Sequence, residues 1–270
     1  MATFNCLTFL SDYGLEDGFV AACHGVATRL APDARIIDVT HLVPPGDVRR
    51  GAAVLAQTVP YLPAAVHVAV VDPGVGTARL GVAVQAGGLL FVGPDNGLLS
   101  WAVAGVGGAE RAVKLSKSDL WLHPVSPTFH GRDIFTPVAA RLANGADLNA
   151  VGTEIGVDDL VTLPAPTSRL HDGEVEGEVM SVDRFGNVQL SITASEIGLL
   201  GASFGSTLVV RCGRRQLTVP YLETFAAVAP GELVAFTDSA GLVSLAVNAG
   251  DAAQRLGLPP GAHVRLAAAP

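Results

Sequence analysis

The feature that most constrains the fold is the alternation of apolar runs with helical patterns over the first 150 residues. Residues 65–71 are almost entirely apolar and rich in β-branched side chains, which is typical of a strand buried on both faces. Residues 18–30 and 48–58 have helical patterns instead, with Asp17 and Asp47 available as caps. This alternation predicts an α/β domain with a mainly parallel sheet.

The pattern changes near residue 164. Residues 164–173, PAPTSRLHDG, hold two prolines and a glycine without any periodicity, which indicates a linker. Seven short strand patterns follow at close spacing, and only residues 249–256 have a helical pattern. We therefore predict two domains, an α/β domain at 1–164 and a smaller all-β, barrel-like domain at 172–270.

Composition excludes several classes of partner. The formal charge is −8, and no lysine or arginine cluster is present, which argues against nucleic acid and anionic membranes as partners. Residues 51–71 carry no formal charge, but Pro60 and Pro63 interrupt them, so a helix followed by a strand is favoured over a membrane span.

The cysteines and the first residues bear on localisation. The three cysteines are widely spaced and include no CxxC pair, so we expect neither disulfides nor a cysteine zinc site. The beginning, MATFNCLTFLSD, has no basic segment before its apolar run and does not resemble a signal peptide. A cytoplasmic protein is the expectation.

Polar residues at strand ends are the first candidates for a functional site. Asp12 follows the first predicted strand in SDYGLED, and Asp72 follows the third in VDPGVG. Ligands of open α/β sheets bind beyond the carboxyl ends of parallel strands, although an aspartate there can also simply close a turn. VDPGVGTAR is not a dinucleotide-binding loop, because it lacks the third glycine and a strand follows Arg79.

Two further segments of the first domain carry polar residues. In GPDNGLLS, Asn96 is predicted to open a helix. In PTFHGRDIF, His130 precedes a helix that Asp133 is predicted to cap, with Arg132 close by. An arginine near a histidine disfavours the imidazolium and keeps the ring neutral.

The second domain offers two turns. VDRFGN places Phe185 and Asn187 where they can stack on and hydrogen-bond a flat heterocycle, or simply form a hairpin turn. TDSAGLVSLAVNAG offers Ser239 and the backbone around Asn248 and Ala249.

Together, these segments and PGDVRRGA resemble, in order and spacing, the S-adenosyl-L-methionine (SAM) hydroxide adenosyltransferases. This family is also called the SAM hydrolases and is related to fluorinases and chlorinases. The resemblance covers about residues 4–268. It implies an α/β domain, a β-barrel-like domain and a homotrimer, with SAM held between the N-terminal domain of one subunit and the C-terminal domain of its neighbour.

The resemblance also implies roles for individual residues. Asp72, Arg79 and His130 match a set that activates water, and Asp12 matches a ligand of the ribose hydroxyls. The other matched substrate-binding positions are Asn96 near the same site, Asp183 and Ser239 at the methionine part, Phe185 and Asn187 at adenine, and the Asn248–Ala249 stretch. SAM is the substrate, and neither a cofactor nor a metal is expected.

Departures from the halogenating relatives favour water over halide. Those enzymes have a Tyr-Pro-x-Thr-Gly pattern where this chain has Asp72-Pro73-Gly74-Val75-Gly76, so the halide-pocket tyrosine and threonine are absent. Gly131 stands in place of a serine, and Ala240 in place of an arginine near the methionine carboxylate.

The expected reaction is attack of water on the ribose C5′ of SAM, which releases methionine and leaves adenosine. Asp72 and His130 are both candidates for accepting the proton. The alternatives are a halide adenosyltransferase that forms 5′-halo-adenosine, a non-catalytic SAM or adenosine sensor, and a metal hydrolase built on Asp12, Asp72, His130 and Asp133. The presence of all three water-activating residues favours the hydrolase.

Overall fold

The computed structural model describes residues 3–269, and the chain forms two compact units, Met1–Pro164 and Ala165–Pro270. The strands of the first unit are β1 (Cys6–Ser11), β2 (Arg35–Thr40), β3 (Val66–Val70), β4 (Gly81–Ala86), β5 (Leu89–Pro94), β6 (Arg111–Leu115) and β7 (Gly152–Ile155). Its helices are α1 (Phe19–Leu30), α2 (Val48–Thr58), α3 (Ser100–Gly105), α4 (Thr136–Ala143) and α5 (Leu148–Val151).

The first sheet has the strand order β2-β1-β3-β5-β4-β6-β7. The β2, β1, β3 and β5 strands are parallel neighbours, whereas β4 is antiparallel to β5 and β6, and β7 to β6. Five strands therefore run in one direction, which confirms the predicted α/β class with a mainly parallel sheet. The exception at β4 follows from Gly87 and Gly88, whose φ angles of 55° and 74° make a tight hairpin turn.

Helices cover both faces of this sheet. Neighbouring residues of a strand point to opposite faces, and here both sets of side chains are apolar, so both faces are buried. Phe9 packs with α1 and α4 on one face, and Leu10 packs with α2 and Leu98 on the other. Asp47 caps α2 as predicted, since its Oδ1 accepts a hydrogen bond from Arg50 N at 2.9 Å. The predicted cap at Asp17 is wrong, because α1 begins after Gly18 without a side-chain cap.

The strands of the second unit are β8 (Ser168–His171), β9 (Glu174–Val182), β10 (Val188–Thr193), β11 (Thr207–Cys212), β12 (Arg215–Pro220), β13 (Leu233–Thr237), β14 (Leu242–Val247) and β15 (His263–Ala268). Its helices are α6 (Ala194–Leu199) and α7 (Ala252–Leu256). The antiparallel order is β12-β11-β15-β9-β10-β14-β13, with β8 paired to β9. A bridge between Tyr221 and Ala235 nearly closes the sheet, which confirms the barrel-like prediction.

Two local predictions in this unit are wrong. Residues 168–171, predicted as part of a linker, form β8. Asp172 and Gly173 have φ angles of 47° and 76° and turn the chain into β9, so the Asp-Gly pair is a hairpin signal. The predicted helix at 249–256 begins only at Ala252, because Asp251 caps it and Ala249 has a φ of 54°.

The uncharged stretch 51–71 folds as predicted into a helix and a strand. The α2 helix ends at Thr58, a 3-10 turn at Val59–Tyr61 contains Pro60, and β3 follows. Within residues 3–269, no helix combines the length and the apolar character needed to cross a membrane.

One buried histidine makes stability depend on pH. His67 in β3 is fully buried, its Nδ1 lies 2.8 Å from Thr8 Oγ1, and its ring stacks on Phe91 at 5.0 Å. Burial lowers the pKa of His67 to about 4, because the charged ring would lose its hydration.

We expect the free energy of unfolding to fall as pH decreases from about 6.5 to about 4. In this window the unfolded chain binds a proton at His67 and the folded protein does not. The full loss from this residue is about 3 kcal/mol, and it adds no pH dependence well above pH 6.5. Urea unfolding of the wild type and of His67→Gln at several pH values tests this, and equal pH dependence in both proteins would contradict it.

Candidate active site

Three loops of the first unit converge at the carboxyl ends of β1 and β3. These strands are adjacent and parallel, so Asp12 and Asp72 follow them at the same edge of the sheet. Asp12 Oδ2 accepts a hydrogen bond from Gly46 N at 2.8 Å. Gly46, with a φ of 74°, lies against Pro73, next to Asp72 in the chain. The edge thus collects both aspartates, as the strand-end rule predicts.

The turn after β3 brings Asp72 and Arg79 together. Arg79 Nε donates to Asp72 Oδ1 at 2.9 Å and to Oδ2 at 3.0 Å, and Arg79 Nη2 also donates to Oδ2. The Asp72 and Arg79 side chains are only 6% and 13% exposed, respectively. The guanidinium also lies 5.2 Å from the centre of the Phe135 ring. Arg79 is therefore fixed by a bidentate ion pair and an aromatic face.

His130 joins this pair through Arg79. Arg79 Nη2 lies 2.7 Å from His130 Nδ1. Gly76 lets the Asp72–Arg79 turn lie close to the loop that precedes His130. Its φ is 77°, and a Cβ at this position would lie 2.6 Å from Pro127 O in that loop. His130 itself directly precedes a π-helical turn, Gly131–Phe135, that continues into α4. The structure thus links Asp72, Arg79 and His130 in one row of contacts.

Burial and the contact with Arg79 together favour the neutral form of His130. Burial and the positive charge of Arg79 lower the pKa of His130, against an opposite effect of Asp72 and Asp133. A guanidinium is always a hydrogen-bond donor, so Nδ1 must be the acceptor and the proton of the neutral ring lies on Nε2. His130 can therefore accept from Arg79 and donate from Nε2 at the same time.

The arginine that keeps His130 neutral is Arg79 rather than the sequence neighbour Arg132. Arg132 Nε instead donates to Asp133 Oδ1 at 2.6 Å. The prediction that Asp133 caps a helix is wrong as well. Asp133 is fully buried inside the π-helical turn, and its Oδ2 accepts from Ser126 N at 2.8 Å, so its carboxylate faces the preceding loop rather than a helix end.

Tyr13 is a residue of this region that sequence reasoning missed. Its ring packs edge-on against Phe129 at 5.6 Å and Phe19 at 6.2 Å. Burial, with smaller contributions from groups that include Asp12 and Asp72, raises the pKa of the Tyr13 phenol, which therefore stays protonated. Its position in the sequence could have indicated a role at the site, because Tyr13 directly follows Asp12 at the end of β1.

The Tyr13 hydroxyl occupies the space in which a side chain at position 131 would lie. A Cβ on Gly131 would overlap Tyr13 Oη and lie 3.0 Å from Cζ. We expect Gly131→Ala to lower the free energy of unfolding by about 1–3 kcal/mol and Tyr13→Phe to recover part of that loss in the double variant. Urea unfolding of both single variants and the double variant measures the coupling.

Gly25→Ala is the matched control, because Gly25 lies in α1 with no atom within 4 Å of a Cβ placed there. It should be neutral or slightly stabilising. Strictly additive effects of Gly131→Ala and Tyr13→Phe would contradict the proposed overlap.

Asn96 supports the strand end next to Asp72. Its Nδ2 donates to Val71 O at 2.8 Å, and its Oδ1 accepts from Leu98 N at 3.2 Å. The predicted helix start at Asn96 is wrong, because Gly97 has a φ of 92° and α3 begins only at Ser100. Contact of Asn96 with substrate stays a prediction.

In the second unit, Asp183 and Asn187 organise the turn between β9 and β10. Asp183 Oδ1 accepts from the backbone N–H groups of Phe185 and Asn187 at 2.8 and 2.9 Å, and its Oδ2 accepts from Asn187 Nδ2 at 2.7 Å. The Phe185 side chain projects from this ordered turn and is 70% exposed. An exposed, rigidly presented ring is suited to stacking on a flat heterocycle.

The segment after β14 contacts this turn, since Ala252 N donates to Gly186 O at 3.0 Å. Within the segment, Asn248 Nδ2 donates to Val228 O at 2.6 Å, and Ala249 is exposed. Ser239 is exposed in the turn before β14, at the opposite end of that strand. The substrate-binding roles of these residues stay predictions.

Both units match known protein families. Residues 7–152 match the SAM hydroxide adenosyltransferase N-terminal domain, and residues 177–265 match the C-terminal domain. The (R)-S-adenosyl-L-methionine hydrolase of Salinispora tropica is 56% identical over 99% of this chain and 100% of its own length. The protein of the same name from Thermus thermophilus is 45% identical over 96% of this chain and 98% of its own length. A fluorinase from Nocardia brasiliensis is 28% identical over 96% of each chain.

Solved structures have the same fold. An uncharacterized conserved protein from Thermotoga maritima superimposes with a TM-score of 0.91 at 36% identity, covering 97% of this chain and 99% of its own. A conserved hypothetical protein from Thermus thermophilus superimposes with a TM-score of 0.78 at 40% identity, covering 98% of this chain and 100% of its own. With both domains matched and relatives similar over nearly their whole length, the chain belongs to the SAM hydroxide adenosyltransferase family.

Proposed function

We propose that this chain hydrolyses S-adenosyl-L-methionine to adenosine and L-methionine by attack of water on the ribose C5′. The observation that carries the proposal is the row formed by Asp72, Arg79 and His130 at the carboxyl edge of the sheet. Relatives at 45–56% identity are named (R)-S-adenosyl-L-methionine hydrolase, which supports the same activity here.

The difficult part of this reaction is the nucleophile. The leaving sulfonium becomes a neutral thioether, so its departure needs no proton. Water is a poor nucleophile because its pKa in bulk is about 15.7. The site must therefore hold a water in line with the C5′–S bond and accept its proton as the O–C5′ bond forms.

Asp72 is the group that accepts this proton. His130 Nδ1 is occupied by Arg79, and its Nε2 carries the ring proton, so neither nitrogen is free to act as a base. In the described part of the chain, Asp72 Oδ1 accepts one hydrogen bond and Oδ2 accepts two. Because a carboxylate oxygen offers about two acceptor positions, Oδ1 retains one for the attacking water.

Arg79 and His130 then act on the water oxygen and on Asp72. Arg79 fixes the orientation of the carboxylate, and its charge favours the hydroxide character that develops during attack. His130 Nε2–H donates a hydrogen bond to the water oxygen and directs a lone pair toward C5′. As the new bond forms, the electron pair of the C5′–S bond passes to sulfur and methionine leaves.

The remaining predicted residues hold the two ends of SAM. Asp12 keeps Oδ1 for a ribose hydroxyl while Oδ2 is bonded to Gly46 N. Phe185 supplies an exposed ring for adenine, Asn187 lies in the same turn, and the segment that contains Asn248 and Ala249 contacts this turn through Ala252. Asn96 supports the strand end beside Asp72. Asp183 and Ser239 bind the methionine part of SAM.

We place each site between two subunits of a homotrimer, which light scattering tests as three times the 27.6 kDa of one chain. Subunit mixing tests the shared site. Asp72→Asn and Phe185→Ala are each expected to be impaired, and mixed trimers should regain activity because one interface then combines two intact halves. Trimers that exchange subunits without regaining activity would contradict the shared site.

We further propose that the reaction takes place in the cytoplasm and uses neither a cofactor nor a catalytic metal. Turnover in excess chelator should equal turnover in buffer. A loss of turnover that added metal restores, without any change in folded fraction, would contradict the metal-free mechanism.

Product analysis tests the proposed function against its alternatives. The (R) and (S) sulfonium epimers of SAM are incubated separately with the protein, with and without excess chloride or fluoride, and products are separated by chromatography. Adenosine and methionine from the (R) epimer are expected. A 5′-halo-adenosine would indicate halide transfer, and tight SAM binding without any product would indicate a sensor.

A further inference from the structure

A second cluster of polar side chains contacts the loop that carries Asp12, since His41 bonds to Ser11 and Gly14 on either side of that residue. It consists of His24 on α1, Asp38 on β2 and His41 directly after β2, and we call it the histidine cluster. The Nε2 atoms of His24 and His41 lie 2.8 and 3.0 Å from the same oxygen, Asp38 Oδ1. All three ligand atoms lie within 4.8 Å of one another.

We propose that the histidine cluster binds a divalent transition-metal ion, with Zn²⁺ as the best fit. Imidazole nitrogens with one carboxylate oxygen suit Zn²⁺ and disfavour Mg²⁺ and Ca²⁺, which prefer oxygen ligands. Zinc bonds of about 2.0–2.2 Å place neighbouring tetrahedral ligand atoms about 3.4 Å apart. The nitrogen–oxygen separations of 2.8 and 3.0 Å are somewhat shorter than this spacing, so small side-chain adjustments would bring these atoms to zinc-binding positions.

The strongest support for the site is a buried ring nitrogen of His41 that lacks a hydrogen-bond partner in the described residues. Its side chain is 2% exposed, and its Nε2 has no hydrogen-bond partner among residues 3–269, although Asp38 Oδ1 is only 3.0 Å away. The contact is therefore close but badly directed for a hydrogen bond. A buried ring nitrogen left in this way is costly unless a further ligand takes its lone pair.

The other ring nitrogen of His41 has the partner that a metal-binding histidine needs. Its Nδ1 lies 2.7 Å from Ser11 Oγ. Donation from Nδ1 to an oxygen fixes the ring and leaves the Nε2 lone pair free for an ion, as is usual for metal-binding histidines. His24 and Asp38 are 32% and 41% exposed, which gives an ion access from solvent and leaves room for a water ligand.

The ion would join α1 to the end of β2, next to the Asp12 loop. Ser11 precedes Asp12, and His41 O accepts a hydrogen bond from Gly14 N at 2.8 Å. Because the histidine cluster joins α1 and the end of β2 to this loop, the proposed role is structural and separate from water activation. Zinc binding at this cluster therefore does not depend on SAM hydrolysis.

Calorimetry with the tag-free, chelator-stripped full-length protein tests the proposal with Zn²⁺ as probe. One ion per chain is expected, with a Kd in the micromolar range or tighter, and Co²⁺ should give the visible absorption of a four- or five-coordinate site. Loss of the partner of a metal ligand typically costs about 10–100-fold in affinity. Ser11→Ala should therefore weaken binding about 10-fold, and loss of a direct ligand in His24→Gln or Asp38→Asn at least about 100-fold.

His171→Gln is the matched control, because His171 is a half-exposed histidine beside Asp172 and Glu176 in the second unit. It should bind Zn²⁺ as the wild type does. Zn²⁺ should also raise the Tm of the wild type by about 5 °C and leave the Tm of His24→Gln unchanged. His24→Gln and Asp38→Asn replace partly exposed side chains, so the test does not depend on altering buried His41.

Two results would overturn the proposal. One is the absence of both binding heat and a Co²⁺ spectrum with the wild-type protein. The other is a His24→Gln variant that binds Zn²⁺ with wild-type affinity and stoichiometry.

Discussion

Replacing Asp72 by asparagine is expected to lower kcat for SAM hydrolysis by about 10³-fold and to change the Kd for SAM by less than about threefold. Asparagine keeps the shape of the side chain but cannot take a proton from water at neutral pH. The loss should therefore fall on the chemical step rather than on binding. Single-turnover kinetics and calorimetry with SAM measure the two quantities separately.

Stability must be controlled in this experiment. The Asp72 side chain is only 6% exposed and is paired with Arg79, so the variant leaves a largely buried guanidinium without its counter-charge. Such a change typically lowers stability by about 3–5 kcal/mol. Turnover is therefore compared well below the Tm of the variant. A folded Asp72→Asn protein with kcat within about tenfold of wild type would contradict the assigned role.

Two variants of His130 distinguish a positioning role from that of a base. His130→Ala should lower kcat by about 10²–10³-fold, as expected for loss of one positioned hydrogen-bond donor. His130→Gln should retain more activity, because a glutamine can accept from Arg79 and donate to water from its amide. A true base would not be replaced by glutamine, so equal losses in both variants would contradict the positioning role.

The pH profile provides a second readout of the same residue. Burial and Arg79 lower the pKa of His130, so the neutral ring persists below pH 6.5. The wild-type kcat/KM should therefore begin to fall only below pH 6.5, as the ring takes up a proton and repels Arg79. In His130→Gln this acid limb should disappear, and its persistence at the same pH would assign it to another group.

The fold class was predictable because its signals are local. Apolar runs with β-branched residues, the Gly87-Gly88 turn and the Asp47 cap each act within a few residues. The strand-end rule predicts Asp12 and Asp72 at one edge of the sheet, because each follows a buried parallel strand. The failures at Asp133 and Asn96 have a common cause, since both side chains bond to nearby backbone away from a helix start.

What sequence reasoning missed depends on contacts between distant segments. The family resemblance grouped His130 with Asp72 and Arg79, but the ring tautomer of His130 depends on its contact with Arg79, 51 residues away in the chain. Tyr13 matters because Gly131 leaves space for its hydroxyl. The histidine cluster joins a helix to the end of a strand, and applying the strand-end rule to β2 would have drawn attention to Asp38 and His41.

The central claim is that water supplies the atom that joins C5′. Hydrolysis of SAM in oxygen-18 water, followed by mass spectrometry of the separated products, tests it most directly. One oxygen-18 atom is expected in the 5′-hydroxyl of adenosine, and methionine should gain none. Unlabelled adenosine, or a product other than adenosine and methionine, would contradict it.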